Sequence, residues 1–105
     1  MKKEIWNNKN TNELIEAVLE LKSANQARAF LRDLMTEAEL IEFGNRWKAA
    51  RMLAEGKIYT DISEETGLSS RTIARISKWL TAGMGGYKAM LPASQVHHHA
   101  HIRPS

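Results

Sequence analysis

Apolar residues recur along this chain with the three- and four-residue spacing of amphipathic helices, whereas the alternation typical of half-buried strands is hardly present. Three pairs resemble a capping box, in which a polar side chain and a Glu or Gln three positions later satisfy the free amides at a helix start. They are Asn10 with Glu13, Ser23 with Gln26, and Thr36 with Glu39. Apolar stripes follow each pair, within residues 14–19, 27–34 and 40–53. The pattern predicts an all-α fold whose third helix has about five turns and ends at Gly56.

The next two predicted helices are short and lie on either side of a glycine. Thr60 is predicted to cap the first of them, and Gly67 to end it in the left-handed conformation. Ser69 is predicted to cap the second, which runs to about Ala82. Two short helices joined by a glycine-containing turn form a helix-turn-helix, whose second helix can enter the major groove of DNA. The sequence therefore predicts a helix-turn-helix over about residues 60–82.

The second short helix carries its charges and its aliphatic residues on opposite sides. At about 100° per residue, three cationic side chains fall within about 60° of one another: Arg71, Arg75 and Lys78. Three aliphatic side chains fall on the opposite side: Ile73, Ile76 and Leu80. The cationic side is predicted to face DNA while the aliphatic side packs into the core. An ordinary surface helix with a solvated basic face is the alternative interpretation.

Individual DNA contacts follow from positions along this helix. Base readout is assigned to Ser70, Arg71 and Ala74, because a recognition helix approaches base edges near its N-terminus. Arg71 is long enough for a bidentate bond to guanine, and Ala74 is suited to a thymine methyl group. Backbone contacts, which position the helix without reading sequence, are assigned to four residues: Ser69, Thr72, Arg75 and Lys78.

The distribution of charge agrees with a polyanionic partner. The net charge of the 105-residue chain is +3, but it is divided unequally. Residues 1–45 hold six Lys or Arg and eight Asp or Glu, a net charge of −2, whereas residues 46–105 hold nine and four, a net charge of +5. The basic part contains the predicted recognition helix. A basic surface also serves solubility, and a protein-interaction module that docks an acidic protein partner is the alternative to double-stranded DNA.

Composition and motifs argue against several other classes. Apolar residues at 43% and charged residues at 26% are typical of one small globular domain. No apolar run approaches the roughly 20 residues of a membrane span and no signal peptide pattern is present, so we expect a cytoplasmic protein with no membrane partner. The absence of cysteine removes disulfides and thiolate sites. No catalytic constellation, phosphate-binding glycine loop or metal-ligand helix is present, which predicts a non-enzyme without a cofactor.

The C-terminal part of the chain predicts a flexible tail. Residues 1–87 are assigned to the DNA-binding domain and residues 88–105 to the tail, with at most a local contact from Tyr87, Met90 or Leu91. The tail holds all four histidines: His97, His98, His99 and His101. Closely placed imidazoles chelate transition metals, but a chain end has no fixed geometry, so adventitious binding is favoured over a biological metal site.

Residues 34–80, LMTEAELIEFGNRWKAARMLAEGKIYTDISEETGLSSRTIARISKWL, resemble the DNA-binding part of the Trp repressor superfamily, and more closely its YerC/YecD-type relatives. The residues that carry the resemblance are Thr36 in T-x-x-E, Gly44 with Arg46, the turn glycine Gly67, and T-I-A-R from Thr72 to Arg75. The resemblance implies an all-helical transcriptional regulator, of which a repressor is the expected kind, that binds DNA as an intertwined homodimer with exchanged N-terminal helices. The residue pattern agrees with a dimer. Three amphipathic helices with broad apolar faces and a two-helix reader cannot form a sufficient core within a single chain of this length.

The resemblance also implies the remnant of an effector pocket. Thr36, Arg46 and Arg75 match positions that line the tryptophan pocket of the Trp repressor. Ile76 and Trp79 replace a glycine and a serine of that pocket, and their bulk leaves no room for an indole at interior packing density. We therefore predict no response to a tryptophan co-repressor. Trp79 is expected either to occupy the vacated space or to pack against a neighbouring helix.

Overall fold

The computed structural model describes residues 5–92, and these residues form six helices. The helices are α1 (Lys9–Leu19), α2 (Ala24–Leu34), α3 (Glu37–Ala54), α4 (Tyr59–Thr66), α5 (Ser70–Ala82) and α6 (Gly86–Met90). No strand occurs among the described residues, and the all-α prediction is confirmed. The predictions for the histidine cluster and for the part of the tail after residue 92 lie outside the described residues.

Hydrogen bonds at the starts of α2 and α3 confirm two of the predicted caps. The Glu39 amide donates to Thr36 Oγ1 at 3.1 Å, and the Thr36 amide donates to the Glu39 carboxylate at 2.9 Å. This reciprocal pair is a complete capping box. At the start of α2, Ser23 Oγ accepts from the Gln26 amide at 3.1 Å. The Gln26 side-chain oxygen accepts from the amide of Lys22, one residue before the cap, at 2.7 Å.

Two other predicted caps are wrong. α1 is capped by Asn8, whose side-chain oxygen accepts from the Thr11 amide at 3.1 Å, and Asn10 lies inside the helix. Asn8 takes this role because its backbone is still extended, which lets its side chain reach the free amide three residues later. In α4 the extended residue is Ile58, so the helix begins before Thr60 and has no side-chain cap.

The chain forms two compact units, Met1–Leu40 and Ile41–Ser105, and the boundary falls within α3. In the first unit, none of the described residues is buried. The apolar stripe of α1 remains accessible, with Leu14, Ile15 and Val18 exposed by 36%, 41% and 40%. These stripe residues, which the sequence pattern assigns to a core, are therefore only partly covered in a single chain.

The second unit contains the hydrophobic core. Its buried residues come from α3, α4, α5 and the segments that flank them: Ala49, Ala50, Met52, Leu53, Ala54, Ile62, Leu68, Ile73, Ile76, Leu80 and Leu91. Three partly buried aromatic residues pack against this core: Trp47, Tyr59 and Tyr87. The α4–α5 pair is thus held on a packed base that includes the C-terminal half of α3.

Gly67 ends α4 in the left-handed conformation that its position predicts, with φ of 77° and ψ of 1°. No heavy atom lies within 4 Å of the position that a Cβ atom would occupy, so only the backbone disfavours a side chain there. Gly67→Ala is expected to lower the free energy of unfolding by about 1 kcal/mol, because an L-residue is strained at this φ. Urea denaturation measures the change.

Gly44→Ala is the matched control for this substitution. Gly44 lies inside α3, is exposed, and also has no heavy atom within 4 Å of its Cβ position. Since its backbone is helical, alanine is expected to raise the free energy of unfolding by about 0.5–1 kcal/mol. Equal changes in the two variants would contradict the assigned role of Gly67.

Candidate nucleic-acid interface

Side-chain hydrogen bonds fix the turn between α4 and α5. Ser63 Oγ donates to the Leu68 carbonyl at 2.8 Å, and the Leu68 amide donates to Thr66 Oγ1 at 3.2 Å. Thr66 Oγ1 also donates to the Ile62 carbonyl at 2.7 Å in a buried position. Because the side chain of Leu68 is itself buried, the turn is anchored to the core and the two helices keep a defined relation.

The start of α5 is capped as predicted. Ser69 Oγ accepts from the Thr72 amide at 3.1 Å and donates to Thr72 Oγ1 at 3.2 Å. Ser69 is exposed and Thr72 is half-buried. The two hydroxyl groups are therefore committed to the cap, whereas the amides of the first helical residues, Ser70 and Arg71, remain available at the positive end of the helix.

α5 separates its charged side from its buried side. The residues that face the core are Ile73, Ile76, Ser77 and Leu80. Five predicted contact residues within α5 are exposed: Ser70, Arg71, Ala74, Arg75 and Lys78. None of the three cations among them forms an ion pair within residues 5–92. The outer side of α5 thus offers three unneutralised positive charges to an external anion.

An ion pair joins α4 to α3. Lys48 Nζ lies 3.2 Å from the Glu65 carboxylate, and both side chains are about half exposed. An exposed pair of this kind adds little stability, so its contribution is to favour one orientation of α4. Two carboxylates of α4, Asp61 and Glu64, are also exposed, so within the α4–α5 pair the exposed cations lie on α5.

Two of the residues matched to the effector pocket already have partners. Thr36, in the first unit, is engaged in the α3 capping box. Arg46, in the second unit, donates through Nε to the Glu42 carboxylate at 3.1 Å. Its guanidinium carbon lies 5.6 Å from the centre of the Phe43 ring, within the range of a cation–π contact. Both side chains are therefore engaged in contacts within the protein.

The other three pocket residues belong to α5 and lie in different environments. Arg75 is exposed on the outer side of the helix. Ile76 is completely buried, whereas Trp79 has 43% of its surface exposed. Ile76 therefore fills interior volume, and Trp79 lies at the border between the core and solvent.

An aromatic contact that the sequence reasoning did not foresee connects α6 with α3. The Tyr87 and Trp47 rings are stacked, with centroids 6.3 Å apart and an interplanar angle of 14°. The Arg51 guanidinium carbon lies 5.8 Å from the centre of the Trp47 ring. Leu91, one helical turn after Tyr87, is buried in the core. The four-residue spacing of Tyr87 and Leu91 was the available signal, since it places both side chains on one helix face.

Burial raises the pKa of the Tyr87 hydroxyl above its usual value, and the nearby Arg46 cation opposes this with a smaller effect. Because the folded chain holds this proton more tightly, the free energy of unfolding is expected to fall as the pH rises from about 10 through the folded-state pKa. Tyr87→Phe has no such proton and is expected to lose less stability over this range. Urea denaturation at about pH 8 and about pH 11 measures the difference, and equal losses in both proteins would contradict it.

Two other kinds of feature do not occur among residues 5–92. No group of three or more His, Asp or Glu side chains in this part of the chain is arranged to hold a metal ion. None of the helices described here combines the length and the apolar composition that crossing a membrane requires. The candidate site is the exposed cationic side of α5.

The family described as Trp repressor protein matches residues 9–95, a range that covers most of each unit and the complete α4–α5 pair. The chain belongs to the Trp repressor family. Among related sequences, YerC of Bacillus subtilis (strain 168), an uncharacterised protein, is 36% identical over 83 residues, covering 79% of this chain and 80% of YerC. The predicted resemblance to the Trp repressor superfamily and to YerC is confirmed.

Two solved structures of TrpR-type proteins share the fold. A TrpR-like protein from Eubacterium eligens superposes with a TM-score of 0.74 at 34% identity, covering 81% of this chain and 94% of that one. A candidate Trp repressor from Staphylococcus aureus superposes with a TM-score of 0.79 at 28% identity, covering 100% of this chain and 99% of that one. The helical arrangement is thus shared with members of the family along nearly the whole chain.

Proposed function

We propose that this member of the Trp repressor family is a sequence-specific regulator of transcription that binds double-stranded DNA and acts as a repressor in the cytoplasm. The main support is the exposure of three cations on the outer side of α5. Arg71, Arg75 and Lys78 form no ion pair with the described residues. In a helix-turn-helix, the second helix enters the major groove with such a side facing the bases. Family membership supports the same role.

The bases are read from the first turns of α5. Ser70, Arg71 and Ala74 are exposed there and follow the cap directly. Arg71 donates two parallel hydrogen bonds to O6 and N7 of a guanine, Ser70 serves as a short donor or acceptor, and Ala74 contacts a thymine methyl group. These three side chains supply the sequence preference.

The DNA backbone is held at two places along the helix. The Ser69–Thr72 cap leaves amides free at the N-terminus of α5, where a phosphate accepts from them. Arg75 and Lys78 lie further along, with Lys78 about 12 Å from Ser70 at the rise of an α-helix. Contacts at both places set the register of the helix and add a salt-dependent, sequence-independent term to the affinity.

A second copy of the chain completes the regulator. The first unit buries none of its described residues, and the α1 stripe of Leu14, Ile15 and Val18 is open. In a homodimer the stripe is covered, which removes apolar surface from water. Two recognition helices related by a twofold axis then read a palindromic operator with half-sites about one helical turn, roughly 34 Å, apart.

Tryptophan does not control this regulator. Ile76 is completely buried, so its side chain fills interior volume that a ligand would need. Arg46 already bonds Glu42 and lies over the Phe43 ring, so its guanidinium group is engaged within the protein. Isothermal titration calorimetry with L-tryptophan is expected to show no saturable heat at concentrations up to about 1 mM, which corresponds to a binding free energy weaker than about −4 kcal/mol. Saturable binding in the micromolar range would overturn this.

Competition and nuclease treatment test the class of partner. The protein is expected to protect a genomic DNA fragment from nuclease when unrelated competitor DNA is present in excess, because specific affinity exceeds non-specific affinity by about 10³-fold or more. A chain that loses all protection under competition, and instead retains an acidic protein after the DNA has been digested, contradicts the proposal.

A further inference from the structure

We propose that residues 83–91, the C-terminal latch, set the orientation of α5 toward DNA, with Tyr87 and Leu91 as positioning residues. The inference rests on the proposed function of α5 as the DNA reader. The latch follows α5 directly and comprises a glycine-containing turn, α6 and Leu91. Its effect is to join the C-terminal end of the reader to α3 without touching the DNA-facing side.

The turn after the reader contains two glycines at positions that disfavour a side chain. The Gly83 amide donates to the Trp79 carbonyl at 3.1 Å and closes α5. A Cβ atom at Gly83 would lie 2.6 Å from that same carbonyl oxygen, so a side chain is sterically excluded there. Gly85 has φ of 90°, a left-handed conformation that favours glycine. These two glycines direct α6 back toward the core.

The first attachment point of the latch is the stacked ring pair of Tyr87 and Trp47. Trp47 is a rigid base, because it belongs to the eighteen-residue helix α3 and is followed by the completely buried Ala49 and Ala50. Offset aromatic pairs at such separations are attractive beyond the area they bury. Tyr87 thereby fixes α6 to α3.

The second attachment point is Leu91, which is only 6% exposed. It belongs to the same buried cluster as Ile73, Ile76 and Leu80 of the reader. Its amide donates to the Tyr87 carbonyl at 3.1 Å, which fixes its position relative to the stacked ring. The latch therefore packs at the same time against the core beneath α5 and against α3.

A reader held in this way discriminates sequences better than one that tilts. A tilt of about 10° about Ile76 displaces the backbone of Arg71, five residues away, by about 1 Å at the helical rise. Functional geometry has to be kept within about 0.5 Å and 10–20°. Bidentate base contacts are lost under such a displacement, whereas attraction to phosphates changes little. Loosening the latch should consequently reduce specific binding more than non-specific binding.

The test compares the affinity for a selected genomic fragment with the affinity for a scrambled fragment of equal length, at one salt concentration. Tyr87→Ala is expected to weaken binding to the selected fragment by about tenfold, the scale of one lost base contact, and to change binding to the scrambled fragment by less than about twofold. Tyr87→Phe keeps the stacked ring and is expected to bind as the parent does. Met90→Ala, which alters a 71% exposed residue of the same helix, is the control.

Each outcome assigns the failure to one proposal. If the parent prefers one fragment and Tyr87→Ala keeps the same ratio of affinities, or lowers both affinities in proportion, the latch does not position the reader. If the parent prefers no fragment, the proposed function fails and the latch with it. Should circular dichroism show that Tyr87→Ala is unfolded, Tyr87→Leu, which keeps an apolar side chain but removes the ring, carries the same expectation.

Discussion

Replacement of Arg71 by alanine is expected to weaken binding to the preferred DNA sequence by about 10- to 100-fold, the range of one bidentate base contact. Arg71 is exposed on the first turn of α5, and it has no ion-pair partner among residues 5–92 that would hold it away from DNA. Unrelated DNA loses only one electrostatic contact, so its affinity should fall much less. Sequence preference is therefore expected to relax at one base pair of each half-site.

Lys78→Ala is the matched control for Arg71→Ala. Both substitutions remove one exposed positive charge from the same side of α5. Lys78 is assigned to a phosphate, so its loss should weaken all DNA to a similar extent and reduce the dependence of log affinity on log salt by about 1. Fluorescence anisotropy at several salt concentrations measures both quantities. Unchanged binding of both variants to preferred and random DNA would show that α5 does not lie in the groove.

A glutamate at Ile15 is expected to convert the proposed dimer into monomers. Ile15 lies in the exposed stripe of α1, and a carboxylate placed in a subunit interface has to be desolvated without a partner. Sedimentation equilibrium should give the parent about twice the 11.9 kDa chain mass, and Ile15→Glu the mass of one chain. Loss of the dimer should also lower the affinity for an operator with two half-sites, because each monomer contributes only one recognition helix.

Asn10→Glu is the control for Ile15→Glu. It adds the same charge to α1, but in the first turn, where a negative charge favours the helix dipole, and outside the apolar stripe. This variant is expected to sediment like the parent. A parent that remains monomeric at all concentrations, or an Ile15→Glu variant that remains dimeric, contradicts the proposed use of the stripe.

The local signals of the sequence predicted much of the fold. Ser23, Thr36 and Ser69 cap their helices because each is followed by an amide that its hydroxyl can reach, and this depends on residues within four positions. Gly67 has the left-handed backbone that its place between two short helices requires. The charged and buried sides of α5 are also separated as predicted. A helix with one side in solvent and the other against a core places polar and apolar residues at the helical repeat, which the sequence shows directly.

Features that depend on competing local signals or on distant residues were harder to predict from the sequence. The two wrong caps, Asn10 and Thr60, show that competing polar residues and the preceding backbone decide where a helix begins. α6 was not predicted because its glycines resemble a linker. Packing of Tyr87 on Trp47, forty positions earlier, and burial of Leu91 in the core give this segment its place. Trp79, which the sequence placed in a vacated pocket or against a helix, is 43% exposed. The four-residue spacing of Tyr87 and Leu91 indicates a shared helix face, but not which distant residues that face contacts.

Selection and sequencing of genomic fragments bound by the full chain tests most directly whether α5 reads bases. We expect enrichment of a common palindromic sequence, with half-site centres about 10 base pairs apart or a multiple of that spacing, because two recognition helices related by a twofold axis contact successive major grooves. The enrichment should persist at a salt concentration that removes non-specific binding. Retention of fragments without a common sequence, decreasing only with salt, would contradict the claim that α5 reads bases.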